Sequence, residues 1–178
     1  LFPAVEELDF AGPWEIAGMW SKHFGGPKQR VLVSQTGEIV RCAKGLSVVP
    51  DCSFEDCMPL DYLLIPGGQG TRKEVENEEL LAFVRKQASV CQKVLSVCTG
   101  TFILHAAGLL EGKEVTTHWG SLDRLRERSG VTVVERRFIC DGDIWTAAGV
   151  SAGIDLALAL VAEQAGEDVA GEVQLAVE

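Results

Sequence analysis

The chain has 178 residues, 47 % of them hydrophobic and 24 % charged, which fits a single globular domain, residues 1–178, with a sizeable core. Its net charge of −10 argues against nucleic acid or an anionic membrane surface as a partner of this domain. No apolar run is long enough to span a bilayer, because the best candidate, residues 147–162, is interrupted by Asp155. No signal peptide is visible, and because the chain opens without Met we expect it to be trimmed at its N-terminus.

The first half of the chain predicts strands that alternate with helices. Leu1-Phe2 is typical of the tail of a strand, and the next segment predicts a helix that Asp9 caps and that carries Pro13 in its first turn. The apolar run at 61–65 ends in Pro66-Gly67-Gly68, as a buried parallel strand does where it meets a loop. The other segments predicted here are strands at 31–33 and 46–49 and a helix at 78–88.

The second half continues the alternation and closes the predicted core. A long apolar helix at 150–165 is expected to be buried. The order of elements predicts a three-layer, flavodoxin-like α/β sandwich with a mostly parallel central sheet. The other segments predicted here are strands at 94–95, at Val115, and at 131–134, 138–140 and 144–146, and helices at 101–110 and 119–128.

The most informative motif is Ser96-Val97-Cys98-Thr99-Gly100, where the strand at 94–95 meets the helix at 101–110. Small residues two positions before and after the cysteine permit a sharp strand-to-helix turn that pushes one side chain outward. The positive end of the following helix is expected to favour the thiolate of Cys98. We interpret Cys98 as an activated nucleophile, since a strained turn of this kind is costly for a purely structural cysteine.

Gly67 and Gly68 follow another strand at the same predicted edge of the sheet, where α/β proteins bind their ligands. They allow the backbone to approach a substrate closely. Their N–H groups, with that of Thr99, are predicted to stabilise a developing negative charge. Taken alone, the two glycines are better explained as a plain turn after a strand, but their place beside the cysteine motif favours the functional interpretation.

Cysteine nucleophiles commonly work with a histidine, and three histidines occur in the chain. His23 is expected to be exposed. His105 lies about two turns into the helix after Cys98 and is expected to be structural. His118, between the strand at Val115 and a helix, is interpreted either as a wall of the pocket or as a base.

Asp9 is the alternative partner for the thiol. It can be a helix cap alone, or its carboxyl group can exchange a proton with Cys98 or with water. Glu6 and Glu7 are expected to be solvated, and Glu15 to point elsewhere.

The six cysteines lack the spacing of a metal site or a disulfide framework. No Cys-x-x-Cys pair is present, and Cys52 and Cys57 have no matching second pair or histidine cluster. We therefore expect no metal and no cofactor. The five cysteines other than Cys98 are interpreted as small buried hydrophobes or surface thiols, and we expect the protein in a reducing cytoplasm.

Together these motifs resemble the ThiJ/PfpI superfamily, whose fold is that of the class I glutamine amidotransferases. Within it they are similar to the isocyanide hydratase-like branch and to the amidotransferase-like domains of AraC-type regulators. The resemblance covers essentially the whole chain, and the cysteine motif combined with the Thr-His-Trp segment is its most specific part. The matching segments are Leu1-Phe2-Pro3, Leu8-Asp9, Gly12-Pro13, residues 65–70, 96–100, 106–110, 116–119 and 152–155.

The resemblance implies that Cys98 attacks the carbon of an isocyanide as a thiolate, while Asp9 hydrogen-bonds the thiol and moves its proton. The N–H groups of Thr99 and Gly68 would hold the polar end of the substrate. Water would then release an N-formamide from a covalent thioimidate. Thr99 stands where protease-like members carry a histidine, so peptidase activity is not expected. A small-molecule substrate and a homodimer are also implied.

Three other functions remain open at this stage. Members of the same fold act on reactive aldehydes, but they usually carry a glutamate where this chain has Asp9. A ligand-sensing domain of an AraC-type regulator would need a DNA-binding module after residue 178. A redox sensor would oxidise Cys98 to the sulfinic acid. Trp14 is expected to place a bulky indole near the pocket.

Overall fold

The computed structural model describes residues 1–178 and alternates helices with short strands. The helices are α1 (Glu7–His23), α2 (Thr71–Glu74), α3 (Glu78–Ala88), α4 (Gly100–Ala106), α5 (Leu122–Arg126), α6 (Ala152–Ala165) and α7 (Glu167–Ala176), and a 3₁₀ turn, Trp119–Ser121, precedes α5. The strands are β1 (Val33–Ser34), β2 (Val40–Arg41), β3 (Ser47–Val48), β4 (Cys52–Ser53), β5 (Tyr62–Ile65), β6 (Lys93–Val97), β7 (Lys113–Val115), β8 (Val131–Val133), β9 (Phe138–Asp141) and β10 (Ile144–Ala147).

The central sheet has four strands in the order β5-β6-β10-β9. Strands β5, β6 and β10 run parallel, and β9 joins the edge antiparallel to β10. The pairs β1–β4 and β7–β8 are also parallel, whereas β2 and β3 form an antiparallel hairpin. The mostly parallel sheet predicted from the sequence is therefore confirmed.

Helices cover both faces of this sheet, as the three-layer sandwich requires. Along β6, Val94 belongs to the apolar cluster that α3 and α4 complete, while Leu95 and Val97 pack with Leu156 of α6. Apolar side chains of β6 therefore lie on both faces of the sheet, as expected of a buried parallel strand. Helix α6 also packs against α1 and α7 on its outer side. None of the helices has the length and apolar character needed to cross a bilayer.

Helix α1 begins two residues before Asp9, so the predicted capping role of Asp9 is wrong. Glu6 occupies the cap position with extended backbone and makes no side-chain capping bond. Asp9 lies in the first turn, and its carboxylate accepts a hydrogen bond from the Gly67 N–H at 2.8 Å. Pro13 lies in the body of the helix, not in its first turn.

Leu1-Phe2 does not form the predicted strand. The amino group of Leu1 donates to the Val33 carbonyl, but Pro3 has no N–H to continue a ladder. Ala4 then turns the chain away with a left-handed backbone, at φ 57°. The Ala4 N–H donates to the carbonyl of Arg41 in β2 at 2.9 Å, and Val5 forms an isolated bridge with Gly68.

Candidate functional site

Cys98 lies on a strained turn between β6 and α4. Its φ of 56° is left-handed, a conformation that costs a residue with a Cβ about 1–2 kcal/mol. Fixed hydrogen bonds hold the turn, because the Cys98 N–H donates to the carbonyls of Ala147 and Ala148 at 3.1 and 2.8 Å. The Thr117 hydroxyl donates to the Cys98 carbonyl at 2.7 Å. The predicted strand-to-helix turn is therefore present.

Gly100 explains why small residues are needed after the cysteine. A Cβ on Gly100 would lie 2.2 Å from the carbonyl oxygen of Ile65, at the end of β5. On the strand side, the buried Ser96 hydroxyl hydrogen-bonds that of Thr101 at 3.1 Å. The start of α4 thus packs directly on the neighbouring strand, and this contact brings Cys98 to the same edge as the loop after β5.

Asp9 is fully buried beside the cysteine. Its Oδ2 accepts from the Gly67 N–H, whereas its buried Oδ1 has no hydrogen-bonding partner of ordinary geometry. The pKa of Asp9 is raised to about 7, mainly by burial and to a lesser degree by the nearby carboxylate of Glu6. The Gly67 N–H, Lys44 and a hydrogen bond from the Cys98 thiol act in the opposite direction. Asp9 is therefore poised to gain or lose a proton near neutral pH.

The Cys98 thiol is itself largely buried, with 6 % of its surface exposed. Burial, and then the charge of Asp9, raise its pKa to about 12, although the N–H and the hydroxyl of Thr99 lower it. Burial and the Asp9 charge oppose the predicted thiolate of Cys98, whereas the Thr99 N–H at the start of α4 favours it. Because the two acidic groups share one buried site, a charge on one disfavours a charge on the other, and the resting protonation of Cys98 stays a prediction.

The N–H groups of Gly67 and Gly68 are already engaged in this structure. The first donates to Asp9, and the second donates to the Thr99 hydroxyl at 3.0 Å. A Cβ on Gly67 would lie 2.5 Å from the Thr99 nitrogen, so this backbone packs closely on the start of α4, while its approach to a substrate stays a prediction. Neither N–H is free for a substrate unless these bonds exchange, and the Thr99 N–H remains as the backbone donor near the sulfur.

Threonines that the sequence argument did not single out complete this arrangement. The Thr71 hydroxyl donates to Gly68 O at 2.8 Å and also contacts the Thr99 hydroxyl at 3.1 Å. Thr117 holds the carbonyl of Cys98, as described above. Their signal in the sequence was weak, since a threonine near a turn has many ordinary explanations.

His118 borders the site without joining Asp9 or Cys98. Its Nδ1 accepts a hydrogen bond from the Gly120 N–H at 3.2 Å, and its ring lies close to Gly149, next to the residue that binds the Cys98 N–H. The role of His118 stays a prediction. The other two histidines are placed as expected, with His23 exposed and His105 hydrogen-bonded to the Ser129 carbonyl at 3.1 Å.

The acidic residues at the start of α1 are not solvated as expected. Glu6 forms an ion pair with Lys44, and Glu7 accepts a hydrogen bond from the Lys44 N–H at 2.7 Å. Both therefore tie α1 to the turn of the β2–β3 hairpin. No group of three or more metal-ligating side chains is arranged to hold an ion.

Trp14 lies in a different part of the surface from the predicted pocket. Its indole stacks against the guanidinium of Arg30 at 4.6 Å, and it lines a groove of about 1120 Å³. Asp9, Cys98 and Thr99 do not line that groove. The expectation that this indole lies near the pocket of Cys98 is therefore wrong.

Comparisons with known proteins agree with this geometry. A model described as the DJ-1/PfpI family matches residues 1–163, a range that includes both Asp9 and Cys98. An isonitrile hydratase from Pseudomonas putida is 42 % identical over 100 % of this chain and 75 % of its own length. The HTH-type transcriptional regulator GbdR from Pseudomonas aeruginosa is 29 % identical, over 97 % of this chain and 45 % of the regulator. A crystal structure of a ThiJ/PfpI family protein from Pseudomonas syringae superimposes with a TM-score of 0.91 at 34 % identity, over 99 % of this chain and 72 % of that one.

Proposed function

The chain belongs to the DJ-1/PfpI family, and on that basis we propose that it is a cysteine-dependent hydro-lyase that adds water to an isocyanide. The product is an N-substituted formamide. The observation that carries the proposal is the burial of the Cys98 thiol beside a carboxylate, Asp9, whose pKa is raised to about 7. The similarity to an isonitrile hydratase along the full chain supports the choice of a small-molecule substrate of this class.

In the first step, Asp9 takes the proton of the Cys98 thiol as the sulfur bonds to the terminal carbon of the isocyanide. The carbon–nitrogen triple bond becomes a double bond, and the proton passes from Asp9 to that carbon. The result is a thioimidate in which sulfur, hydrogen and the imine nitrogen are all bonded to the former isocyanide carbon. Raised pKa values on both groups favour transfer within the pair over release of a proton to solvent.

Water then completes the cycle. Asp9, again ionised, removes one proton from water as the water oxygen bonds to the thioimidate carbon, and passes this proton to the nitrogen. The hydroxyl of the adduct then gives its proton to Asp9 as the carbon–sulfur bond breaks, which releases the N-formamide, and Asp9 returns that proton to Cys98. The N–H of Thr99, near the sulfur, is the donor placed to stabilise charge that develops at the reacting group.

An aryl isocyanide is the direct test of this proposal. We expect the wild-type protein to convert it to the N-formamide, detected by liquid chromatography, and Cys98→Ala to abolish the conversion. Cys140→Ala is the matched control, since Cys140 is an exposed thiol in β9 and not one of the predicted site residues. Equal turnover by the Cys98→Ala variant, or none by the wild type, would refute the hydratase proposal.

A ligand-sensing domain is the second candidate, because almost the whole of this chain matches less than half of a transcriptional regulator. In that case isocyanides or related small molecules would bind without turnover. Calorimetric binding together with absent formamide would favour this function. An aldehyde-directed enzyme is less favoured, since the shorter Asp9 replaces the glutamate expected of such members.

The proposed assembly is a homodimer in the cytoplasm. Exposed apolar side chains on and beside the β2–β3 hairpin support a surface buried by a second copy, with Ile39, Leu46 and Val49 each at least half exposed. Light scattering during gel filtration gives the assembly directly, and a monomeric mass at micromolar concentration would remove the dimer from the proposal.

A further inference from the structure

The peptide group between Cys98 and Thr99 is held from the interior of the protein. Its carbonyl, that of Cys98, accepts from the Thr117 hydroxyl at 2.7 Å and has a longer contact with the Thr101 hydroxyl at 3.3 Å. A hydroxyl has one hydrogen to donate, and Thr101 has a nearer acceptor in the carbonyl of Thr116 at 2.9 Å. The Cys98 carbonyl therefore depends mainly on Thr117.

Thr117 is itself fixed by the surrounding structure. It lies in the loop that follows β7 and is 1 % exposed. The N–H of the neighbouring Thr116 donates to the Thr146 hydroxyl of β10 at 2.9 Å. The last residue of β10, Ala147, accepts the Cys98 N–H, as described above. Both polar groups of the Cys98 backbone are thus held by β10 and by the loop attached to it.

The other end of the same peptide group faces the candidate site. In a trans peptide, such as this one, the C=O and the N–H point in opposite directions, so the Thr99 N–H points away from Thr117. A Cβ on Gly67 would lie 2.5 Å from the Thr99 nitrogen and 2.9 Å from Asp9 Oδ2, so this nitrogen and the carboxylate border one space. Rotation of the peptide plane would carry the Thr99 N–H out of that space.

The turn has a physical reason to relax if the Thr117 hydroxyl is removed. The φ of 56° at Cys98 is a strained conformation for a residue with a Cβ, and it persists only where the surroundings fix it. A backbone carbonyl left without a good donor in a buried place adds a further cost. Both costs favour rotation of the peptide plane toward another donor.

We propose that Thr117 is a positioning residue: its hydroxyl fixes the plane of the peptide between Cys98 and Thr99 and so aims the Thr99 N–H at the reacting group. The effect on turnover rests on the proposed function, but the aim of the N–H can be tested without any isocyanide. An aimed N–H stabilises the thiolate and so lowers the pKa of the Cys98 thiol. It also stabilises the charge that develops during the attack.

Thr117→Val removes the hydroxyl and keeps the shape of the side chain. We expect kcat with an aryl isocyanide to fall by about 10–10²-fold and KM to change by less than about threefold, because a misaimed donor acts on the transition state and not on ground-state binding. Thr117→Ser keeps the hydroxyl and is expected to retain most of the wild-type kcat.

Thr116→Val is the matched control for this substitution. Its hydroxyl is equally buried and lies in the same loop, but it donates to the Arg136 carbonyl at 3.2 Å and not to Cys98. We expect its kcat to stay within about twofold of the wild-type value.

Alkylation by iodoacetamide measures the aim of the Thr99 N–H independently of the hydratase reaction. Its rate at pH 8 is followed as the mass added to the tryptic peptide 94–113, whose one cysteine is Cys98. A misaimed N–H leaves less thiolate, so we expect Thr117→Val to react about three- to tenfold more slowly than the wild type. Thr117→Ser and Thr116→Val are expected to react at the wild-type rate. A general loosening of the fold would instead speed alkylation, since it exposes the buried thiol.

The alkylation rates decide the proposal. Equal or faster alkylation of Thr117→Val, or a Thr117→Ser variant as slow as Thr117→Val, would overturn it. If Thr117→Val does not fold, Thr117→Ala removes the same hydroxyl and is judged by the same rates. If the wild type forms no formamide, the hydratase proposal fails, and the alkylation rates still decide the role of Thr117.

Discussion

Asp9 and Cys98 compete for a single negative charge in one buried place. The charge of Asp9 raises the pKa of Cys98, and burial raises the pKa of both groups. A histidine could have supplied a positive charge that stabilises a thiolate at rest, but His118 does not hydrogen-bond Cys98 or Asp9. In the proposed mechanism the sulfur becomes a nucleophile as its proton leaves for Asp9.

The carboxylate of Asp9 is therefore expected to be indispensable for turnover. Asp9→Asn keeps the size of the side chain and an oxygen for the Gly67 N–H, but the amide cannot accept the thiol proton. We expect kcat with an aryl isocyanide to fall by about 10²–10⁴, the usual contribution of a general base. Rates of formamide formation, with far-ultraviolet circular dichroism as a check on folding, measure this.

Glu15→Gln is the matched control, because it neutralises an exposed carboxylate on the same helix α1. Its rate is expected to equal that of the wild type. A rate for Asp9→Asn within a factor of two or three of the wild type would remove Asp9 from the mechanism, whatever the behaviour of Cys98.

At the scale of elements, the site depends on how closely α4 approaches the end of β5. Gly100→Ala would place a Cβ 2.2 Å from the Ile65 carbonyl, against backbone that cannot give way. We expect a loss of about 2–4 kcal/mol in the free energy of unfolding and a displaced Cys98, hence low activity. Urea denaturation provides the measurement.

A second glycine serves as the control for this substitution. Gly171 lies in α7, and a Cβ there meets no atom within 4 Å. Gly171→Ala is expected to be neutral or to stabilise by about 0.5–1 kcal/mol, since alanine is the better helix former. If the two substitutions changed the free energy of unfolding equally, the close contact between Gly100 and Ile65 would not contribute to stability.

Elements with strong local signals were predictable from the sequence. Helix α3 has the predicted bounds, because Asn77 caps it and Leu80, Leu81 and Val84 give a clear buried stripe. The two-residue strands β2 and β4 were missed, since two residues cannot show alternation. Helix α7 was missed because its pattern is weak, although the break at Gly166, with φ 94°, separates it from α6.

The same division holds within the site. The turn at Cys98 was predictable because the small residues that permit it, Ser96 and Gly100, lie within two positions of Cys98 in the sequence. The bond from Gly67 to Asp9 spans 58 positions, and nothing local in either segment announces it. The burial and the Asp9 charge that oppose a thiolate at Cys98 likewise arise only when distant segments meet.

For the whole molecule, a buried carboxyl with a raised pKa makes stability depend on pH. The folded pKa of Asp9 is about 7 against an ordinary value of 3.8, so the folded protein binds more protons at Asp9 between these values. The contribution of Asp9 to stability is therefore fully present below about pH 4 and is lost as the pH rises through 7.

This linkage is tested by comparing wild type with Asp9→Asn at two pH values. At pH 8 the variant avoids a buried charge, and we expect its free energy of unfolding to exceed that of the wild type by about 1–3 kcal/mol. At pH 5 the difference in free energy of unfolding between Asp9→Asn and the wild type should shrink, because Asp9 is then protonated in the folded state. Urea unfolding at both values measures the difference, and a gap independent of pH would contradict the raised pKa.

The central claim is that the Cys98 sulfur bonds covalently to the isocyanide carbon during turnover. Acid quenching within the first turnover, followed by mass spectrometry of the tryptic peptide 94–113, measures this most directly, since Cys98 is the only cysteine in that peptide. We predict an added mass equal to one isocyanide on that peptide, which decays as the N-formamide forms. Formamide produced at the full rate with no mass added to that peptide would contradict the account.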